Sequence, residues 1–177
     1  MKRIIPFAYA INVYDIDIDF YKKINAKYIF LDLDNTLDTH VTEVPSERAR
    51  DLITKMKENG LIPIILSNNK EKRVAKYANS LGVNYLYHSR KPFKFKIEKY
   101  LKKNNIPKEN AIMIGDQLMT DIRCSYRLKM RGILTEKLWP NDQFVTKLLR
   151  WLDKLKRKRL KKDNLLVDWR VIYGRIK

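Results

Sequence analysis

The chain has 177 residues, of which 45% are hydrophobic, so it can bury the core of one domain. No run of about 18 apolar residues occurs, which argues against a transmembrane helix, and the single cysteine, Cys124, excludes an internal disulfide and fits a reducing cytosol. The 38 basic and 20 acidic residues give a net charge of +18, which favours anionic partners, although lysine-rich composition also arises from AT-rich codons.

Strand and helix signals alternate through the middle of the chain. Apolar runs rich in strand-forming residues predict strands at 28–31, 61–66, 83–87, 111–114 and 131–135. Apolar stripes with helical spacing, bounded by start and stop residues, predict helices at 44–59, 70–81, 93–104 and 118–127. This alternation predicts an α/β fold of three layers, with a central parallel sheet covered by helices on both faces.

Four short motifs accompany the predicted strands. They are DLDNTL at 32–37, SNN at 67–69, KP at 91–92 and GDQLMTD at 115–121. Because ligands of parallel sheets bind beyond the carboxyl ends of the strands, we expect the four motifs to meet at one edge. The intervals between the motifs are too short for an inserted cap domain, so a capless site is predicted.

The motif residues supply what phosphoryl transfer needs. Asp32 can attack phosphorus and form an aspartyl phosphate, and Asp34 can protonate the leaving oxygen. Ser67 can bond a phosphoryl oxygen, Lys91 can neutralise its charge, and Asp116 is a distant ligand for Mg²⁺. Each motif alone also fits a turn, a loop or a helix cap, so the ordered set carries the prediction.

The ordered motifs resemble those of the haloacid dehalogenase-like (HAD) superfamily of phosphatases. More narrowly they resemble subfamily IIIA of the YqeG type, which is related to phosphatidylglycerophosphate phosphatases. The resemblance covers about residues 5–137 and implies the Rossmann-like HAD fold. One departure is the stretch 122–126, which replaces a small, glycine-rich segment of the family.

The resemblance also implies site roles. Asp32 would be the nucleophile and Asp34 the acid and base. Mg²⁺ would be held by the Asp32 side chain, the Asp34 backbone carbonyl and Asp116. Phosphate would be bound by Ser67, Asn68 and Lys91. Thr36 and Asp121 would support the site.

The leading prediction is therefore a Mg²⁺-dependent phosphatase that acts on a bulky substrate, with phosphatidylglycerophosphate as the first candidate, since an uncapped site is open to solvent. Two alternatives follow from the charge: an RNA- or ribosome-associated binding protein of the HAD fold, and a nucleic-acid end phosphatase. We expect a cytoplasmic protein that is peripheral to the membrane if its basic surface binds lipid.

The phosphatase domain is predicted at 1–137, followed by a basic helical extension at 138–177. An apolar stripe bordered by Trp151 is predicted on the extension: Val145, Leu148, Leu149, Leu152 and Leu155. The run Lys156–Lys162 suits an anionic membrane. The alternative is a last helix packed on the sheet and followed by a solvated basic run, and nucleic-acid binding has no accompanying fold signature. The end of the chain, 165–177, could fold back or dock elsewhere.

Overall fold

The computed structural model describes residues 3–139 and 147–176. The strands are β1 (Ala8–Ala10), β2 (Tyr28–Asp32), β3 (Ile62–Leu66), β4 (Asn84–Leu86), β5 (Ala111–Gly115) and β6 (Arg131–Thr135). They form one sheet in the order β1-β6-β5-β2-β3-β4, and every neighbouring pair is parallel. The five predicted strands are all present, and β1 adds a sixth.

Helices connect and cover these strands. They are α1 (Ile18–Lys23), α2 (Glu47–Glu58), α3 (Glu71–Leu81), α4 (Phe95–Lys103), α5 (Arg123–Leu128), α6 (Lys147–Lys162) and α7 (Trp169–Arg175). Short 3₁₀ turns occupy Val13–Asp15 and Lys108–Asn110, and one π-helical turn, Leu118–Ile122, leads into α5. The predicted α/β class is confirmed.

The sheet has an apolar core on each face because side chains alternate along a strand. Ile29 and Leu31 belong to the core formed with α1, α2, α3 and α7. Phe30, between them, belongs to the second core, formed with α4 and α5. All three side chains are fully buried, and each such burial contributes about 1.5–3 kcal/mol. Strands buried on both faces explain why the sequence shows continuous apolar runs.

The segment after α6 lies against β1, the strand at one side of the sheet. Tyr9 donates its backbone N–H to Val167 O at 2.8 Å, and Trp169 packs on Phe20 with ring centroids 5.4 Å apart. The segment after α6 therefore folds back onto the sheet. β1 was not predicted because three residues carry too little pattern to register as a strand.

Helix α6 turns a different face inward from the one predicted. Leu155 is 39% exposed and Trp151 is 57% exposed, whereas Asp153 and Leu160 are each 5% exposed. The predicted inward stripe is thus wrong at Leu155, because Asp153 bonds a backbone N–H of the underlying loop. The side chains of Val145, Leu148 and Leu149 lie outside the described part of the chain. Among the described helices, none is long and apolar enough to cross a bilayer.

No inserted domain covers the carboxyl edge of the sheet within the described residues. Only the loop 33–46 separates β2 from α2, and only α3 lies between β3 and β4. Neither interval holds an inserted domain, so the described structure is capless, as predicted.

Candidate active site

The four motifs meet at the carboxyl edge of the sheet. Asp32 ends β2, Ser67 follows β3, and Asp116 follows β5. Lys91 lies beyond β4 and points back into the centre, where its ammonium contacts the Asp32 carboxylate and lies 2.6 Å from Asp121 Oδ1. The expected convergence of the motifs is therefore present, and Lys91 is the side chain that joins them.

Three buried carboxylates lie together at this edge, and two of them, Asp32 and Asp121, contact the lysine. Asp32, Asp116 and Asp121 each offer an oxygen, and these oxygens all lie within 4.8 Å of one another. Hard divalent cations prefer oxygen ligands, so the donor set fits Mg²⁺. Asp121, predicted to support the site, joins the cluster as a third carboxylate. The predicted use of the Asp34 carbonyl as a ligand stays a prediction.

The electrostatics of the cluster are dominated by burial. Burial raises the pKa of the Asp32 carboxyl well above its usual range, Lys91 opposes the shift, and Asp121 and Asp116 add to it. Burial also lowers the pKa of Lys91, but Asp121 and Asp32 outweigh this effect and leave the pKa above its ordinary value. Lys91 therefore stays an ammonium. A divalent ion at the three carboxylates would add positive charge and favour the ionised form of Asp32.

Asp34 lies in a more open environment than Asp32. Its carboxylate accepts hydrogen bonds from Ser67 Oγ at 3.2 Å and Asn69 Nδ2 at 3.0 Å, and it pairs with the Arg73 guanidinium at 2.6 Å. Its side chain is 22% exposed, against 10% for Asp32. Two carboxylates in such different surroundings are suited to two different tasks.

Asn68 holds the loop that carries Lys91. Its Oδ1 accepts from Lys91 N and Ser89 Oγ, both at 2.8 Å, and its Nδ2 donates to Lys91 O at 3.1 Å. The predicted phosphate contact of Asn68 would therefore fall to its backbone N–H, since the side chain is already engaged. Thr36 donates its hydroxyl to Asp32 Oδ2 at 3.2 Å, which fits its predicted supporting place.

The π-helical turn after β5 places Asp121. Its Oδ2 accepts the Gln117 N–H at 3.0 Å, while Oδ1 faces Lys91. A Cβ on Gly115 would lie 2.3 Å from Asp121 Cγ, so only glycine leaves room for this carboxylate. A regular helix was predicted from 118; the wider turn keeps Asp121 beside the strand end, and such turns are frequent at functional sites.

Sequence reasoning missed two residues that shape the site. Arg73, on α3, bonds Asp34 as well as Thr42 O at 2.8 Å. Asp38, which is buried, accepts from Ser46 N at 3.0 Å and from Tyr77 Oη at 2.6 Å. A basic residue six positions after Ser67, on the first turns of a helix, was the available signal for Arg73. Asp38 had none beyond its place in the loop after the first motif.

The sequence is similar to that of known proteins along most of its length. A family model described as haloacid dehalogenase-like hydrolase matches residues 29–90, and one described as HAD-hydrolase-like matches residues 88–137. The protein named Probable phosphatase YqeG from Bacillus subtilis (strain 168) is 31% identical over 153 residues, covering 86% of this chain and 89% of that one. The chain belongs to the HAD-like hydrolases. Its predicted likeness to the YqeG-type phosphatases of this family is confirmed.

Solved structures agree with the HAD fold. A Vibrio cholerae protein assigned as a 3-deoxy-D-manno-octulosonate 8-phosphate phosphatase superposes with a TM-score of 0.53 at 14% identity, covering 78% of each chain. An uncharacterised protein from Listeria monocytogenes serotype 4b gives 0.51 at 18% identity, covering 75% of this chain and 99% of that one. At these identities the likeness concerns the fold.

Replacing Gly115 by alanine tests whether the HAD site depends on the placement of Asp121. We expect the new methyl group to push Asp121 away from Lys91, with a loss of activity of about 100-fold and a stability cost of about 1–3 kcal/mol. Phosphate release and thermal unfolding measure the two effects.

Gly132→Ala is the matched control, because its Cβ would lie 2.3 Å from Ser125 Oγ, in the strand–helix packing of β6. It should lose stability to a similar degree and keep the activity of each folded molecule. Equal activity losses in both variants would contradict a specific role for the Gly115 contact.

Proposed function

We propose that the protein is a Mg²⁺-dependent phosphomonoesterase that works through an aspartyl phosphate on Asp32. The observation that carries the proposal is the cluster of three buried carboxylates, two of which contact Lys91, at the carboxyl edge of a capless sheet. A phosphate and the Asp32 carboxylate are both anions and repel each other. Lys91 and a metal held by the carboxylates would supply the positive charge that lets the phosphate approach.

In the first half-reaction, an oxygen of Asp32 attacks phosphorus and the bond to the leaving oxygen breaks. Asp34, protonated, gives its proton to that oxygen. In the second half-reaction, Asp34 takes a proton from water, and the water oxygen attacks the same phosphorus. The bond between phosphorus and Asp32 breaks, which releases inorganic phosphate and restores the carboxylate.

Lys91 and Ser67 would contact the phosphoryl oxygens, with the backbone N–H of Asn68 as a further donor. Asp32, Asp116 and the Asp34 carbonyl would hold Mg²⁺, and Asp121 would hold Lys91. When bound, the metal would supply positive charge that reduces the repulsion between Asp32 and the phosphate and stabilises charge on the phosphoryl oxygens. Thr36 fixes the orientation of the Asp32 carboxylate through the 3.2 Å hydrogen bond.

For the substrate we propose a phosphomonoester at a lipid headgroup, with phosphatidylglycerophosphate as the leading candidate. Large apolar side chains are exposed on the segments that follow the strands at the site's edge: Val41 (72%), Phe93 (57%), Phe95 (72%) and Trp139 (51%). Together with a net charge of +18, they support contact with an anionic membrane surface. On α6, the exposed basic side chains Lys158 and Lys162 would add to this contact.

The test is phosphate release from phosphatidylglycerophosphate in anionic phosphatidylglycerol vesicles, with Mg²⁺ and with EDTA. A water-soluble phosphate ester and 5′-phosphorylated RNA and DNA ends serve as parallel substrates. We expect Mg²⁺-dependent release that is fastest on the vesicles. Preference for nucleic-acid ends would replace the lipid assignment, and salt-sensitive RNA binding without release from any substrate would favour the binding-protein alternative.

Phe95→Ser separates the membrane contact from the chemistry. It should lower turnover on vesicles several-fold while the soluble ester is hydrolysed at the wild-type rate. Ile5→Ser is the matched control. Ile5 is also exposed (43%), but it precedes β1 and so lies toward the amino ends of the strands, away from the carboxyl ends that carry the site. If both variants behave like wild type on vesicles, the exposed apolar side chain of Phe95 does not contact lipid.

A further inference from the structure

Helix α6 uses a charged pair to pack on the rest of the molecule. Its residues are mostly basic, yet Asp153 is 5% exposed and the Arg157 side chain is 12% exposed. Arg157 Nε lies 2.8 Å from Asp153 Oδ2, one helical turn away. Leu160, one further turn along the same face, is buried against Leu118 and Leu134. The run Lys156–Lys162 is thus divided between an inward and an outward face.

The pair contacts the loop of the fourth motif on both sides of Gln117. Arg157 donates to the backbone carbonyl of Asp116, and to Thr135 O at 3.0 Å. Asp153 accepts the backbone N–H of Met119 at 3.0 Å. The loop that presents Asp116 to the carboxylate trio is therefore fixed by two side chains of a helix about 40 residues further along the chain.

A role in stability alone accounts poorly for this arrangement. Burying two charges costs desolvation energy, and apolar side chains of similar size commonly stabilise a fold as well or better. What an apolar pair could not do is hold two backbone carbonyls and one backbone N–H in fixed positions. The planar guanidinium is suited to several acceptors at once, whereas an ammonium is a single point of charge.

We infer that Arg157 and Asp153 are positioning residues that orient Asp116 for the divalent metal. The inference rests on the proposed function, because it takes Asp116 as a metal ligand. It gives helix α6 a part in the active site, because Arg157 bonds the backbone carbonyl of the metal ligand Asp116 itself. Outer partners of metal ligands typically govern about 10–100-fold of metal affinity.

The test is Mg²⁺ or Mn²⁺ affinity of the full chain, measured by calorimetry without substrate. Arg157→Gln should weaken binding about 10–100-fold, and Arg157→Lys should restore little of it because one ammonium cannot reach all the acceptors. Arg159→Gln, an exposed position two residues on with the same change of charge, should bind within about twofold of wild type.

A double variant, Asp153→Leu with Arg157→Met, separates positioning from folding. It should remain folded because no buried charge is left unpaired, with a lowered melting temperature because two backbone carbonyls and one backbone N–H lose their partners, while its metal affinity falls as in Arg157→Gln. Wild-type metal affinity in the folded double variant would overturn the inference.

Asp116→Asn distinguishes this inference from the proposed function. If Asp116→Asn loses metal binding while Arg157→Gln matches Arg159→Gln, the positioning role is wrong and the phosphatase proposal stands. If Asp116→Asn binds metal like wild type, the metal site itself is misplaced, and the inference falls with it.

Discussion

Asp32→Asn is expected to abolish phosphate release, with a loss of at least about 10³-fold, while the fold remains intact. The amide keeps the size of the side chain but cannot form the acyl phosphate. The effect should appear on every substrate that the wild type hydrolyses, because the nucleophile is common to all of them. Released phosphate and the thermal unfolding midpoint are measured on the same preparations.

The fold should tolerate this change because the surroundings of Asp32 disfavour its ionised form. The pKa of Asp32 is raised by burial and, against the effect of Lys91, by neighbouring carboxylates, so its ionised form is less favourable in the folded chain than in water. A neutral side chain removes that repulsion, and Lys91 keeps its 2.6 Å ion pair with Asp121. Stability should therefore be unchanged or slightly higher in the absence of metal.

Asp51→Asn provides the control, since Asp51 lies on the exposed face of α2 and the substitution is chemically the same. It should leave turnover within about twofold of wild type, because exposed substitutions away from the site have small effects. Substantial residual activity in Asp32→Asn would mean that another group attacks phosphorus, and the aspartyl-phosphate route would be wrong.

The strands that carry the site were predictable because a strand buried on both faces needs apolar residues at consecutive positions, which the sequence shows directly. Residues 28–31 and 111–114 are continuous apolar runs, and each is followed by a motif carboxylate. The geometry of parallel sheets then brings those carboxylates together without any knowledge of packing. Both the central strands and the motif residues at their carboxyl ends were therefore accessible from local pattern alone.

What could not be predicted depends on contacts between distant segments. Helical periodicity placed Leu155 inward, but the partners that α6 meets are backbone groups of a loop, and these select Asp153 and Arg157. Arg73 gave a similar difficulty, since a basic residue on a helix is ordinarily solvated. Its pairing with Asp34 needs α3 to start beside the first motif. Polar contacts of this kind leave no periodic signal in the sequence.

The largest effect on stability is expected at Trp169, near the end of the chain. Trp169→Ala should lower the free energy of unfolding by about 3–5 kcal/mol, the range for deleting a buried aromatic side chain, against a typical total of 5–15 kcal/mol. Trp169 is 7% exposed and packs on Phe20 and Tyr173, with ring centroids 5.4 and 6.1 Å away. Denaturant unfolding, followed by fluorescence and circular dichroism, measures the loss.

Trp169→Phe is the matched comparison, and it should cost much less than alanine. The indole N–H of Trp169 is buried and finds no hydrogen-bond partner among the described residues, so phenylalanine gives up no bond and removes an unsatisfied donor.

The pair of variants also tests the predicted division at residue 137. Because Trp169 shares a core with Phe20 and Ile133, one cooperative transition shifted as a whole is expected. A separate early transition, with the main one unchanged, would mean that the C-terminal extension unfolds on its own.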